Sequence, residues 1–490
     1  MNNNRSPPFM NTISPADVSA DEMIATGGQD RSVRSVPKTE AAKYGLLHWN
    51  VSGGPSNGGI TFATRRTDRW RFPPLLYSLA TFLFVATVPA AGDPDSEGQF
   101  SQEGSKLVGT FAVDPAYQGW SVALSADGTT AIVGGLADDK LNGAVWIFTR
   151  SGSVWTQQGN KLVGTGAVGQ AGKGMSVALS ADGNTAVVGG PYDNRSTGAV
   201  WVFTRSGAVW TQQGSKLVGT GAVESGRQGT SVALSADGTT AVVGGPYDDA
   251  FIGAVWVYTG KHGIWTQQGS KLVGTGAVES GRQGASVALS ADGNIAVVGA
   301  IGDNWYAGGT WVHYRNGDLW TQGSKLVGTG AIGNASQGRS VAVSADGNTV
   351  LIGGSADNSS AGAAWVFTRN GTVWTKGSKL VGTGAVGNAS QGHSVALSAD
   401  GNTAIVGGPH DNSYTGAVWI YTRNGGTWTQ QGSKLVGIGA VRTARQGFSV
   451  ALSADGNTAI VGGISDHMLN GAAWVFIRSG SVWTQQHLGH

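Results

Sequence analysis

Short apolar runs alternate with polar turns from about residue 100 to the end of the chain. Within residues 391–436, the runs 394–397, 403–406 and 417–421 are apolar, and the turn dipeptides Asp-Gly and Asn-Gly follow the first and the third of them. Runs this short, bounded by hairpin-turn residues, predict β-strands rather than helices. A fourth strand is predicted over residues 427–436. Four strands joined in this way form an antiparallel sheet.

The tetrapeptide Ser-Ala-Asp-Gly marks a unit of 54 or 55 residues that recurs seven times, with its aspartate at positions 127, 182, 237, 292, 346, 400 and 455. Third strands such as residues 199–203 are apolar on both faces, so each sheet must be covered on both sides by its neighbours. Radial repetition of four-stranded sheets is the β-propeller architecture. We therefore predict an all-β fold over residues 100–490, a seven-bladed β-propeller of four-stranded antiparallel blades. An open solenoid is the alternative, and it would leave two terminal sheets uncovered.

The two ends of the repeat region carry complementary halves of one strand. The phrase Trp-Thr-Gln-Gln-Gly-Ser-Lys-Leu-Val-Gly is complete between units, for example at residues 210–219, whereas residues 483–486 carry only its first half and residues 105–109 its second. We expect these halves to complete the outer strand of the seventh blade. Leu107 and Val108 should then pack on that blade and close the ring.

Three residue types recur once or twice in every unit, and each allows two interpretations. The lysines of the outer strand could form a polyanion-binding belt, but protection of an exposed sheet edge is favoured. The fourteen repeat tryptophans, Trp146 and Trp155 through Trp474 and Trp483, favour packing between blades over carbohydrate platforms. A second aspartate, eleven residues after each turn aspartate, could attract cations, but a bond to its own loop's backbone is favoured. The lysines are Lys106, Lys161, Lys216, Lys271, Lys325, Lys379 and Lys434, and the aspartates are Asp138, Asp193, Asp248, Asp303, Asp357, Asp411 and Asp466.

The region before the repeats has a different composition. Residues 1–70 are polar and aperiodic, which predicts a disordered segment or a mis-assigned extension. The basic stretch 65–71 precedes the apolar run 75–88, and small residues follow, so residues 71–92 resemble a signal peptide. We expect a secreted, periplasmic or cell-surface protein. A membrane anchor through residues 75–88 is the alternative, although the run is shorter than the ~17–25 residues of a membrane span.

Composition narrows the chemistry further. The chain has no cysteine, a formal charge of +2 and no run of basic residues that resembles a nucleic-acid-binding stripe, so we expect neither disulfides nor a nucleic-acid partner. No metalloprotease, nucleophile-elbow or phosphate-loop motif occurs, and glutamate appears after residue 100 only at Glu103, Glu224 and Glu279. We expect no catalysis, no cofactor and no metal site.

The repeat unit resembles the FG-GAP repeats of the integrin α-subunit propeller and of its bacterial relatives. The Phe-Gly-x-Ser opening of that family stands here as Gln-Gly-x-Ser at residues 228–231 and 391–394, and its Gly-Ala-Pro as Gly-Gly-Pro at residues 189–191. The resemblance covers residues 100–490 and implies the propeller fold, whereas its motifs specify a function poorly. Some family members bind calcium through Asp-x-Asp/Asn-x-Asp-Gly. Here that loop is shortened to Ser-Ala-Asp-Gly with one carboxylate, so we expect no calcium.

Loops on a rigid scaffold carry function more often than the scaffold itself. The face with the loops between strands 2 and 3 and between successive blades is therefore the predicted binding face. Residues that break the repeat there are the candidate ligand-binding residues: Tyr117, Trp120, Arg227, Arg282, Trp305, Tyr306, His410 and Tyr414. We expect a non-catalytic binding or adhesion propeller for a protein or glycan. A structural scaffold and, less favoured, a propeller hydrolase or lyase are the alternatives.

Overall fold

Each repeat forms one four-stranded antiparallel sheet, here called a blade, and the computed structural model describes residues 101–478 except Asp114 and Glu224. The first strands are Ser121–Leu124, Ser176–Leu179, Ser231–Leu234, Gln283–Leu289, Ser340–Val343, Ser394–Leu397 and Gln446–Leu452. The second strands are Thr130–Gly135, Thr185–Gly190, Thr240–Gly245, Ile295–Ala300, Thr349–Gly354, Thr403–Gly408 and Thr458–Gly463. Blades are numbered 1–7 in this order.

The third and fourth strands complete each blade. The third strands are Ala144–Ser151, Ala199–Ser206, Ala254–Lys261, Gly309–Asn316, Ala363–Asn370, Ala417–Asn424 and Ala472–Ile477. The fourth strands of blades 1–6 are Val154–Gln157, Val209–Gln212, Ile264–Gln267, Leu319–Leu326, Val373–Leu380 and Thr427–Gln430. A short turn lies between strands 2 and 3: Asp138–Leu141, Asp193–Ser196, Asp248–Phe251, Asp303–Tyr306, Asp357–Ser360, Asp411–Tyr414 and Asp466–Leu469.

Seven apolar cores lie between the blades rather than within them. In the core between blades 1 and 2, Ile132 and Ile147 of blade 1 pack with Trp201 of blade 2. The equivalent core between blades 7 and 1 joins Ile460 to Trp146. The third-strand tryptophan is fully buried in every blade, which confirms the packing interpretation for seven of the fourteen. Each sheet is thus covered on both faces, as the continuous apolar strands predict.

Two circles of hydrogen bonds run through all seven blades and close the ring. The alanine of Ser-Ala-Asp-Gly donates its N–H to the corresponding carbonyl in the next blade, at 2.8–3.1 Å, and Ala454 of blade 7 donates to Ala126 of blade 1. At the other end of the first strands, a serine Oγ donates to a glycine carbonyl of the next blade, and Ser449 returns to Gly119 at 2.7 Å. The seam between blades 7 and 1 is therefore bonded like the others. The seven-bladed β-propeller predicted from the repeats is confirmed.

The glycine pair at the end of the second strand allows the blades to approach so closely. A Cβ atom at Gly189 would lie 2.1 Å from the carbonyl oxygen of Gly229 in the next blade, and one at Gly190 would lie 2.7 Å from the Trp201 ring. Both distances are far below a van der Waals contact. The first glycine thus admits the backbone of the next blade, and the second admits the buried tryptophan of its own blade.

The outer strand of blade 7 comes from the start of the repeat region. Ser101–Gln102 pairs antiparallel with Ala472–Ile477, and Leu107 forms a further bridge to Ala473. Leu107 is 6% exposed and packs in the core between blades 7 and 1, as expected, but Val108 is 46% exposed. The expectation that Val108 packs is wrong, because successive side chains of an extended segment point to opposite sides. The other half of the predicted strand, residues 483–486, lies outside the described residues.

The predictions for residues 1–70 and for the signal segment 71–92 also fall outside the described residues. Over the part of the chain that the structure describes, no helix is long and apolar enough to span a lipid bilayer.

Candidate functional site

The propeller has two unlike faces. Hairpins between strands 1 and 2 and between strands 3 and 4 lie on one of them, here called the hairpin face. The short turns between strands 2 and 3 lie with the crossovers between blades on the other, here called the loop face, and the two kinds of loop are bonded together there. For example, the N–H of Val113, in the crossover into blade 1, donates to Oδ1 of Asp138 at 2.7 Å.

The loop aspartates and the outer-strand lysines are partners in seven buried ion pairs. In blade 1, Nζ of Lys161 lies 2.5 Å from Oδ2 of Asp138, whose side chain is 1% exposed. The corresponding pairs are Lys106–Asp466, Lys216–Asp193, Lys271–Asp248, Lys325–Asp303, Lys379–Asp357 and Lys434–Asp411. The second oxygen of each aspartate accepts from the backbone of the preceding crossover.

These ion pairs correct two expectations. The aspartates do accept backbone N–H groups, but from the crossover about 25 residues earlier rather than from their own loop. The lysines are neither a polyanion belt nor simple edge protection, because each ammonium lies against a buried carboxylate. A buried charge needs a partner, which explains why both residues recur in all seven units. The aspartates do not form an electronegative ring on the loop face.

The turn aspartates on the hairpin face bond within their own turns. Oδ1 of Asp127 accepts from the Ser125 hydroxyl at 2.5 Å and from the Thr129 N–H at 3.0 Å, and Oδ2 accepts from the Thr129 hydroxyl at 2.8 Å. Partial burial raises the pKa of this carboxyl, but the three hydrogen bonds outweigh burial and hold the pKa below its usual value. Over the described residues, no three His, Asp or Glu side chains cluster in a way that could hold a metal ion.

Seven different side chains stand at one repeated position around the axis of the loop face. Each first strand opens with Gln-Gly-x-Ser, or Lys-Gly-x-Ser in blade 2, and only x varies freely. The seven residues at x are Trp120, Met175, Thr230, Ala285, Arg339, His393 and Phe448. The innermost strands of neighbouring blades touch all round the ring, so these residues encircle its axis.

The larger of these side chains form a continuous row over blades 5, 6, 7 and 1. The Trp120 and Phe448 rings lie 4.8 Å apart between centroids, and the His393 and Phe448 rings 4.6 Å apart. Arg339 donates to Nε2 of His393 at 2.9 Å, and because arginine cannot accept, Nδ1 of His393 carries the proton and donates to the Phe448 carbonyl. Tyr117 meets Trp120 edge-on at 6.3 Å. The predicted residues Tyr117 and Trp120 thus lie together.

Over blades 2–4, arginines and aromatic rings stack alternately. The guanidinium of Arg227 lies 3.9 Å from the centroid of Tyr247 and 5.6 Å from that of Tyr192. Arg282 lies 5.8 Å from the same Tyr247 ring, 5.4 Å from Phe251 and 5.4 Å from Tyr306. These six residues, Tyr192, Arg227, Tyr247, Phe251, Arg282 and Tyr306, are here called the arginine–tyrosine stack. The structure brings together Arg227, Arg282 and Tyr306, as predicted for one surface.

The last predicted residues form a third group over blades 6 and 7. The His410 and Tyr414 rings lie 4.9 Å apart, and Arg445 lies 4.8 Å from the Tyr414 centroid. Trp305 is 67% exposed, beside Tyr306 in the chain, and no ring contact joins it to the stack within the described residues. Seven of the eight candidates therefore divide among three groups, and Trp305 belongs to none of them. Sequence reasoning missed Tyr192, Tyr247, Phe251, Phe448, His393 and Arg339, although variation at x in the seven units was the available signal for the last three.

Two further departures from the repeat are buried. Lys173 replaces the glutamine of Gln-Gly-x-Ser in blade 2 and is 3% exposed, with Nζ 5.4 Å from the Trp201 centroid. Burial lowers the pKa of Lys173. In blade 3 the equivalent Gln228 accepts from the Gly219 N–H at 2.6 Å and donates to its carbonyl at 3.1 Å. A lysine cannot accept the first of these bonds.

His313 is the second buried departure, at a third-strand position that is Phe or Tyr in the other six blades. It is 3% exposed, and its Nδ1 has no hydrogen-bond partner in the described structure. Burial lowers the pKa of His313 to about 4. A buried polar atom without a hydrogen-bond partner lowers the stability of the folded state.

The chain matches no model of a known protein family, and no curated protein is similar to it in sequence.

Proposed function

We propose that this chain is a non-catalytic binding propeller whose loop face recognises another macromolecule. The observation that carries the proposal is the contrast within the repeat. The Asp–Lys pairs, the first glycine of the glycine pair and the buried tryptophan recur in all seven blades, whereas position x presents Trp, Met, Thr, Ala, Arg, His and Phe. A scaffold needs uniform blades, so seven different side chains at one repeated position of the loop face support recognition there.

The composition of that face supports the same conclusion. Trp305, Tyr306 and Tyr414 are exposed on it, at 67%, 46% and 43%, and arginines lie beside two of them. Tryptophan, tyrosine and arginine are the residues most often found at the energetic centres of protein interfaces. We include the FG-GAP resemblance in this proposal, because adhesion through a propeller face agrees with it. We also propose export, on the basis of the apolar run at residues 75–88.

A binding screen of the full-length chain against protein and glycan arrays tests the proposal. We expect a ligand whose affinity falls at least tenfold when Trp305, Tyr306 and Tyr414 are replaced together by alanine. The matched control replaces Val154, Val209 and Ile264, which are equally exposed at the opposite hairpins, and should bind like the parent. Affinity that survives the loop-face triple variant contradicts the proposed face. A screen without any ligand favours the structural scaffold.

A further inference from the structure

We propose that the arginine–tyrosine stack binds an acidic protein segment by placing one carboxylate on Arg227 and a second on Arg282. This inference rests on the proposed function and assigns a partner class to one part of the loop face. Charge complementarity carries it: two half-buried guanidinium groups lie side by side on the loop face, and neither is paired with a carboxylate among the residues that the structure describes. The following observations establish that arrangement.

The stack surrounds both guanidinium groups with aromatic rings, and Arg227 lies at stacking distance from Tyr247. Arg227 lies between Tyr192 and Tyr247, and Arg282 is in contact range of Tyr247, Phe251 and Tyr306. Stacking uses the face of a guanidinium and leaves its five N–H donors, which lie in the plane, at the edge. Those donors have the fork geometry that binds a carboxylate through two parallel hydrogen bonds. An arginine fixed in this way loses less freedom when a ligand binds.

Neither arginine has a counter-ion in the described part of the protein. Arg227 and Arg282 form no ion pair there, although Glu279 and Asp249 are exposed in the adjoining loops.

Arginines of the hairpin face differ, because they also stack on a ring but bond to their own protein. Arg423 stacks on Trp428 at 5.5 Å and donates to Oδ1 of Asn402 at 2.9 Å. Arg150 pairs with Glu103 at 3.3 Å. Arg227 and Arg282 differ from these arginines, because neither guanidinium donates a hydrogen bond to another residue that the structure describes.

The position of the two arginines in the repeat confines the site to two adjacent crossovers. Arg227 and Arg282 directly precede Gln-Gly-x-Ser in blades 3 and 4, where blades 2, 5 and 6 have Gly172, Ser336 and Ser390. Blade 7 also has an arginine at this position, Arg445, but that blade adjoins neither blade 3 nor blade 4. The residue at position x, three residues after each arginine, is small: Thr230 in blade 3 and Ala285 in blade 4. The Thr230 hydroxyl donates to the Arg227 carbonyl at 2.8 Å, and the Ala285 N–H donates to the Arg282 carbonyl at 3.2 Å. The ligand would therefore meet two cationic groups one blade apart, with little side-chain bulk between them and the axis.

Exposed rings beside the arginines favour a protein segment over other anions. Phe251 and Tyr306 contact Arg282 and are 41% and 46% exposed, and Trp305 is 67% exposed. Arginine clusters recognise acidic peptide motifs, and exposed aromatic residues beside them supply the apolar contacts of a protein interface. A free inorganic anion would leave these rings uncovered. An acidic polysaccharide is the competing macromolecule, and the experiment distinguishes it.

Fluorescence anisotropy with the full-length chain tests the inference. The probe is a labelled peptide of three Glu-Tyr-Glu-Gly repeats, and its neutral analogue carries glutamine for glutamate. We expect the acidic probe to bind, the neutral analogue to bind at least tenfold more weakly, and added salt to weaken binding. Replacing both Arg227 and Arg282 by methionine should reduce affinity for the acidic probe at least tenfold. Replacing both by lysine should give an intermediate affinity, because lysine keeps the charge and loses the fork.

The matched control replaces Arg205 and Arg423 by methionine, which removes the same charge from stacked arginines of the hairpin face. It should bind like the parent. The inference is overturned if the acidic probe does not bind, or if the Arg227/Arg282 variants bind like the control. It is also overturned if an oligogalacturonate binds through these arginines and the peptide does not. A ligand from the broader screen that needs Trp305 and Tyr414 but neither arginine would overturn the inference and leave the proposed function standing.

Discussion

Replacing His313 by phenylalanine should remove part of the acid sensitivity of the propeller. The imidazole is buried at a position where Phe148, Phe203, Phe367 and Phe476 stand in other blades, so phenylalanine fits the repeat geometry. Burial lowers the pKa of His313 to about 4, from about 6.5 in the unfolded chain. The unfolded state therefore takes up the proton more readily. The stability due to neutral His313 is fully present above pH 6.5 and is lost as the pH falls towards 4.

The size of the effect follows from the shift in pKa. At about 1.4 kcal/mol per pKa unit, protonation of His313 should lower the free energy of unfolding by about 3 kcal/mol between pH 7 and pH 4. Asp and Glu side chains titrate in this range too, but equally in both proteins. The difference in free energy of unfolding, variant minus parent, should therefore grow by about 3 kcal/mol on acidification.

Denaturant unfolding of parent and variant at several pH values between 7 and 4, followed by tryptophan fluorescence, measures that difference. Exposed His262 in a hairpin of blade 3 provides the control, and His262→Asn should leave the pH dependence unchanged. A His313→Phe difference that stays constant across the pH range would refute the buried, neutral imidazole.

Three further substitutions test the interior. Lys173→Gln should raise the free energy of unfolding by about 1–3 kcal/mol, because a glutamine regains the two backbone hydrogen bonds that Gln228 makes in blade 3 and removes a buried amine. A lower free energy of unfolding, measured by calorimetry, would contradict this prediction. Gly244→Ala should lower the free energy of unfolding by about 1–3 kcal/mol or more, because its Cβ would lie 2.2 Å from a carbonyl oxygen of the next blade. Gly281→Ala is the control: its Cβ would have its nearest atom at 3.5 Å, and thermal unfolding should show almost no change in stability. Leu107→Ala should cost about 2–5 kcal/mol and Val108→Ala under about 1 kcal/mol; equal effects in denaturant titrations would argue against closure by this strand.

The fold was predictable because its signals are local and repeated seven times. Short apolar runs, Asp-Gly turns and third strands that are apolar on both faces predicted the four-stranded blade. The number of repeat units predicted the number of blades. The expectation for Val108 was wrong because side chains alternate along an extended segment, so that a buried Leu107 places Val108 on the exposed side. The circle of alanine hydrogen bonds was also out of reach, since six of its partner pairs lie 54–55 residues apart and the closing pair, Ala454 and Ala126, lies at opposite ends of the repeat region.

The surface was less predictable than the fold. The recurrence of the loop aspartates and of the outer-strand lysines was visible in the sequence. Their pairing became visible only in the structure, because Asp138 lies in the turn between strands 2 and 3 and Lys161 lies 23 residues later, in the outer-strand phrase. Tyr192 and Tyr247 were overlooked because each follows a proline in a repeated phrase and does not stand out as a departure. Their role is visible only when Arg227 is placed between their rings.

The closed ring itself is tested most directly by hydrogen exchange at one amide. The N–H of Ala454 is bonded across the seam between blades 7 and 1, and those of Ala126, Ala181, Ala236, Ala291, Ala345 and Ala399 are bonded across the other six junctions. In a closed ring, Ala454 should be protected from exchange to within about tenfold of the other six, since every junction opens by the same local event. An Ala454 amide that exchanges as an unprotected one, while the other six remain protected, would show that the seven blades form an open stack.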